Sequence, residues 1–290
     1  MYVHGDNLKQ KENHTTKYID EESKKYLKEI REKYNWWKSE NEKLIGPKIK
    51  SSIDDSEILK KRVKLFNEYK DFLDKQCYAE KFDSRSNLHS SVLEEFLYYL
   101  FKDLVKDFSQ YALIGKSHAF KDIFFKANNY KDMVDEPLIE IEQKDHDFVI
   151  GTRVKATFKY QGSPEEESIE FDVPAVAIEC KTYLDKTMLE GSSTAGKQLK
   201  DRNPNALYII VSERLKLTEA VNLKKYAIDQ IYVLRKQKNT DREFTYAETY
   251  VRNPIYDDVV EHLFDYVREY LKSDWKGSVI SEGLNRGYLI

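Results

Sequence analysis

The run Val173-Pro-Ala-Val-Ala-Ile-Glu-Cys-Lys-Thr182 is apolar until it ends in Glu179-Cys180-Lys181. Read as a β-strand, it puts Val176, Ile178 and Cys180 on one side and Ala175, Ala177, Glu179 and Lys181 on the other, because successive side chains alternate. The acid and the base therefore point the same way. A carboxylate beside an ammonium at the end of a buried strand is costly unless something occupies the pair, such as a metal ion or a phosphate.

Upstream, Pro137-Leu-Ile-Glu-Ile-Glu-Gln-Lys-Asp-His-Asp-Phe-Val-Ile-Gly151 alternates with period two and then turns apolar, which puts Asp147 at the mouth of a buried strand. Gly151 is expected to make a tight turn, with Arg153 to Tyr160 returning as a second strand and Gln161 to Glu167 as a polar hairpin loop. The segment Lys116 to Lys131 is basic and aromatic. Downstream, Leu184 to Asp201 is expected as a basic helix interrupted at Gly191-Ser-Ser-Thr194, then a buried strand from Asn205 to Ser212, a helix from Leu215 to Lys225, a strand from Ile228 to Leu234 and an amphipathic helix from Tyr256 to Leu271. This order predicts an α/β or α+β fold with a mixed central sheet flanked by helices.

Val92-Leu-Glu-Glu-Phe-Leu-Tyr-Tyr-Leu-Phe101 opens a strong helical pattern, with Ser90 or Ser91 as N-cap. Leu93, Phe96, Leu97, Leu100 and Leu104 set its buried direction, which leaves Glu95 on the solvent side and Glu94 on the flank of the apolar arc. Glu94 is either a first-turn acid favoured by the helix dipole or part of a site. Nearer the N-terminus, apolar residues recur at helical spacing through Tyr18 to Trp37 and again from Ile58 to Leu73, on either side of Gly46-Pro47. Residues 1–80 are thus expected as a helical region, a possible DNA-contacting subdomain, and residues 81–290 as the domain that carries the sheet.

The chain has 290 residues, 40% hydrophobic and 34% charged, with a net charge of -3. That balance describes a soluble protein and does not advertise nucleic-acid binding, although local basic patches set the field at a groove whatever the total. Two cysteines, Cys77 and Cys180, make no disulfide framework, and a reducing cytoplasm is the expected compartment. Met1 to His14 is polar, unlike a secretory signal, and the longest apolar stretches are too short to cross a bilayer. The six histidines show no zinc-like spacing with the cysteines, and no phosphate-binding Gly-Lys-Ser/Thr loop is present.

With Asp147 at one strand mouth, Glu179-Cys180-Lys181 ending another, and a basic helix and buried strand after it, the sequence resembles the PD-(D/E)XK nuclease superfamily. The segments Val92-Leu-Glu-Glu-Phe-Leu, Lys144-Asp-His-Asp-Phe-Val-Ile-Gly and Glu179 to Ser193 are similar to the type II restriction endonucleases grouped with BbvCI. The resemblance implies Mg²⁺-dependent cleavage of duplex DNA at a short specific sequence, one strand per active site, by a homodimer or by a heterodimer with a related subunit. It further implies Asp147, Glu179 and the Cys180 carbonyl as metal ligands, Lys181 as the group that orients and helps deprotonate the attacking water, and Glu94 as a helical acid near the metal. The pattern departs from the superfamily in two ways: His146, not proline, precedes Asp147, and Asp145 is a rival ligand on the same strand face. His146 reads first as a packing or hydrogen-bonding residue. Candidate DNA contacts are Arg85, Lys116, Lys186, Lys197 and Arg202. Competing functions are a repair or recombination nuclease that reads DNA structure, and a catalytically idle DNA-binding partner subunit. The intact Asp147, Glu179 and Lys181 argue against an idle copy.

Overall fold

The structure, a computed structural model, describes residues 2–82, 87–161, 166–238 and 246–275. Its chain order is α1 (Val3–Glu12), α2 (Glu21–Lys43), α3 (Asp55–Leu73), α4 (Gln76–Lys81), α5 (Ser91–Phe108), β1 (Leu113–Lys126), α6 (Tyr130–Asp135), β2 (Leu138–Lys159), β3 (Glu166–Leu184), α7 (Lys186–Arg202), β4 (Leu207–Leu215), β5 (Gln230–Val233) and α8 (Asp257–Lys272). The five strands form one sheet in the order β1-β2-β3-β4-β5. The first three are antiparallel neighbours, and β3, β4 and β5 run parallel, so the sheet is mixed, as the strand and helix order predicts. No helix among the described residues is long and apolar enough to cross a membrane.

Alternation along β3 divides the two faces as its sequence implies. Val176, Ile178 and Cys180 join Phe148, Ile150, Leu207, Ile209 and Val211 against α5 and α8 in the larger core, which also takes in Leu8, Ile30, Trp37 and Phe66 of the N-terminal helices. Ala177 turns the other way, with Val149 and Tyr208, and packs on Ala195 and Leu199 of α7. The small residues of α7 do not interrupt it. Ser192, Ala195 and Gly196 lie on its buried stripe: a side chain at Gly196 would meet the Tyr208 ring at 2.9 Å and the Ala227 carbonyl at 2.5 Å, so glycine there lets the helix lie close on the sheet.

Several expectations need correction. Gly151 makes no turn: β2 is one continuous strand through it, and the segment expected to return from Arg153 is the same strand carried onward. Glycine is needed because β3 crosses closely, so that a Cβ on Gly151 would stand 2.3 Å from the Val173 carbonyl oxygen. The segment Lys116 to Lys131 contains a full strand, β1, followed by the short α6. Leu215 to Lys225 is not a helix. β4 runs on to Leu215, and only a single 3₁₀ turn, Leu223–Lys225, follows. Met1 to His14, polar as it is, supplies α1, which buries His4 and Leu8.

Glu95 is fully buried instead of solvated, because α1 and α2 cover the side of α5 that its own pattern leaves open. Its carboxylate accepts the main-chain N–H groups of His4 at 2.9 Å and Gly5 at 3.2 Å, and the hydroxyls of Tyr34 and Tyr99. A second polar knot joins α3 to the sheet. Lys70 lies 2.9 Å from Glu213 and 3.1 Å from Asp74, Arg235 donates to Glu213 at 3.0 Å, and His89 pairs with Asp74 at 3.0 Å, all of them buried. No sequence pattern announces either network.

Candidate active site

The register of β2 on β3 brings the singled-out acids together. Phe148 pairs with Ile178, so Asp147 comes up beside Glu179 one position further on. Asp147 Oδ2 accepts the main-chain N–H of Cys180 at 2.8 Å. Lys181 Nζ then bridges the two carboxylates, 3.2 Å from Asp147 Oδ2 and 3.0 Å from Glu179 Oε2. The trio lies where β2 and β3 meet and is only partly open to solvent.

β2 carries an irregularity here that decides which acid takes part. Against β1 its pairings step from Val149 to His146 while β1 advances only from Gly115 to Ser117, so β2 holds one extra residue opposite Lys116. Such a bulge breaks the alternation of faces. Asp145 and Asp147 consequently do not share a side. Asp145 is exposed and pairs with His118, whereas His146 turns inward and its Nδ1 lies 3.3 Å from Glu179 Oε1. His146 is thus a buried, hydrogen-bonding residue, and its partner is a carboxylate of the trio.

Glu179 has a second fixed partner that the sequence did not single out: the Tyr208 hydroxyl donates to Oε1 at 3.0 Å. Tyr208 looks like any aromatic of a buried strand, and only the β3–β4 register, Ala177 with Tyr208 and Glu179 with Ile210, brings it across. With Tyr208 and His146 on Oε1 and Lys181 on Oε2, the Glu179 side chain is fixed in orientation. Burial would raise its pKa, but the His146 hydrogen bond and the Lys181 charge override burial and hold it at about 2. Burial would likewise lower Lys181. The carboxylates of Asp147 and Glu179 reverse that and push it above the usual lysine range.

Glu94 reaches the same place from the first turn of α5. Its Oε2 is buried without a partner, and burial, reinforced by the Asp147 charge, raises its pKa to about 7, while Lys116 and Lys181 pull the other way. Glu95, its neighbour, is committed to α1 and does not take part. Of the basic candidates, Lys116 stands exposed on β1 within electrostatic reach of Glu94, and Lys186 and Lys197 are exposed on α7. Arg202 sits at the far end of α7, about 25 Å from its start, in an ion pair with Asp122. Arg85 lies outside the described residues.

Among the described residues, no three His, Cys, Asp or Glu side chains gather closely enough to hold a metal ion by themselves. Two carboxylates facing a shared cation, with a third carboxyl oxygen orphaned nearby, still fit Mg²⁺, which keeps several waters and needs only one or two protein carboxylates beside the substrate phosphate. The Lys181 ammonium supplies the cation between them in the structure.

The model of the Bpu10I restriction endonuclease family matches residues 85–289. Among solved structures, the native BbvCI A2B2 tetramer matches with a TM-score of 0.68 over 94% of this chain and 98% of that one, at 20% sequence identity, a likeness of fold. A search of the curated proteins finds no match.

Proposed function

The chain belongs to the Bpu10I restriction endonuclease family, and from that premise we propose that it is a Mg²⁺-dependent type II enzyme that hydrolyses duplex DNA at a short specific sequence. The observation that carries this reading is the convergence of Asp147, Glu179 and Lys181 at one partly open place, with the orphaned Glu94 oxygen beside them. Asp147, Glu179 and the Cys180 carbonyl would hold the metal. A bound Mg²⁺ supplies a polarised water and neutralises charge building on the phosphate and the leaving oxygen.

The chain's own groups do the rest. Tyr208 and His146 hold Glu179 in one orientation, and the Cys180 N–H does the same for Asp147. With a divalent ion held by both carboxylates, the charges that keep Lys181 protonated would be offset, so that Lys181, having given its own proton to solvent, would orient the attacking water and take up its proton. Glu94, with a pKa of about 7, accepts or returns a proton near neutral pH. Lys116 and Lys186 face the backbone phosphates on either side. Each chain cuts one strand, so a double-strand break requires two chains, in a homodimer or with a related subunit.

The test is digestion of a long duplex with Mg²⁺ or EDTA, followed by sequencing of the ends, with the Lys181→Ala variant alongside. Cuts at discrete sites that need Mg²⁺, lost by at least 100-fold in the variant while DNA binding persists, are expected on the usual scale of general-base catalysis. Robust site-specific cleavage by Lys181→Ala removes the mechanism. Cuts that follow branches or nicks regardless of sequence replace the restriction reading with a repair nuclease.

A further inference from the structure

The hairpin that leads β1 into β2 ends in an apolar face that packs on none of the described residues. α6 buries none of its residues, yet Tyr130, Met133 and Val134 repeat at i, i+3 and i+4 and stand 83, 52 and 62% exposed. At its base Phe124 and Leu138 are 39 and 54% exposed. Lys126 pairs with Leu138 and Phe124 with Glu140, so Phe124 and Leu138 are diagonal neighbours on one face of the ribbon. A six-residue helix has no stability of its own, and beyond the Asn129 side chain that caps it, α6 buries no apolar surface that would hold it in place. A helix with an apolar stripe and nothing beneath it is built to be covered.

We propose that a second copy of this chain covers it, with the two α6 helices lying antiparallel about a two-fold axis. Size favours a protein partner. At roughly 150–250 Å² for a large side chain, the five residues leave about 430–730 Å² open per chain. That approaches the roughly 800 Å² per partner of a stable interface. Charge excludes a DNA backbone as the occupant, since residues 121–142 carry three lysines against six acids. Charge also favours self-pairing. Lys131 lies at the start of α6, and Asp135 and Glu136 lie at its end, so an antiparallel pair sets the base of each copy against the acids of the other. The face stands about 30 Å along β2 from Asp147, so this inference does not depend on the catalytic reading.

Sedimentation velocity on the full chain without DNA, over a range of concentrations, tests it. The wild type is expected at twice 34.4 kDa, and the variant Tyr130→Asp/Met133→Asp/Val134→Asp at the single-chain mass with little change in melting temperature, because these side chains are mostly exposed. Met133→Asp alone, milder to the helix, is expected to weaken the dimer at least tenfold. A wild type still monomeric at roughly 100 µM, or a dimer indifferent to both variants, overturns the proposal. A monomeric wild type whose variants lose DNA binding would assign the face to DNA and equally overturn it.

Discussion

Replacing Glu213 with glutamine keeps the shape of the side chain and removes one charge from the knot between α3 and the sheet. Glu213 serves Lys70 at 2.9 Å and Arg235 at 3.0 Å, with both partners buried. After the substitution Asp74 is left to answer Lys70 at 3.1 Å and Arg235 at 3.7 Å, while Arg214, also buried, keeps two unpartnered guanidinium nitrogens. Removing one member of a buried ion pair costs about 3–5 kcal/mol, since the other charge stays desolvated. At about 2–4 °C per kcal/mol for a chain of this class, the melting temperature should drop by roughly 6–20 °C. Adding Lys70→Met removes the orphaned ammonium and should recover at least half of that. The pH profile gives a second reading. Burial would raise the Glu213 pKa, but Lys70 and Arg235 reverse this and hold it below the usual carboxylate range. Its contribution is therefore present above the unfolded value of about 4.3 and fades as pH falls further. The gap between wild type and Glu213→Gln should accordingly be full at pH 7.5 and narrow below about pH 4. Circular-dichroism melts at both pH values measure it. A melting temperature within about 2 °C of wild type at pH 7.5, or a gap that widens in acid, refutes the argument.

Other substitutions probe the site and its support. Glu94→Gln, melted in EDTA, should be more stable than wild type at pH 8 by up to about 3 kcal/mol and equal to it below pH 4.5. The raised pKa of about 7 means that ionisation between those values opposes folding, and an equal gain at both pH values would deny the strained carboxylate. Tyr208→Phe frees Glu179 Oε1 from a hydrogen bond and should weaken the apparent Mg²⁺ affinity for cleavage by about 10–100-fold, with little change in DNA affinity; an unaltered Mg²⁺ titration would dismiss Tyr208 as a positioning residue. Gly151→Ala forces a Cβ toward the Val173 carbonyl oxygen and should lower stability by roughly 1–3 kcal/mol in denaturant melts, whereas a neutral result would mean that the crossing of β2 and β3 relaxes easily.

What the sequence discloses and what it hides follow from the range of the forces involved. The alternation along Val173 to Thr182 is local, and it places Cys180 in the core and Glu179 with Lys181 on the other face, as the structure has it. The helical pattern of α5 is equally local, and it leaves Glu94 at the edge of the apolar arc, where the site draws it in. Asp145 against Asp147 could not be decided, because the answer lies in a bulge whose extra residue is defined only by pairing with β1, a strand whose basic and aromatic composition hid it. The pattern of α5 alone leaves Glu95 in solvent for a related reason. Its helix has a second covered side, supplied by α1 from a segment whose polar residues give no sign of burial. Tyr208 and the Lys70–Glu213 knot are partners across strands and layers, and no spacing along the chain encodes them. The acids and lysine of the candidate site are thus legible in short motifs, while the groups that orient them are not. Function should then be intolerant not only at the motif residues but also at the residues that support them, such as Tyr208 and Gly196. Gly196 packs against the Tyr208 ring, and an added methyl there would press on that ring and through it on Glu179.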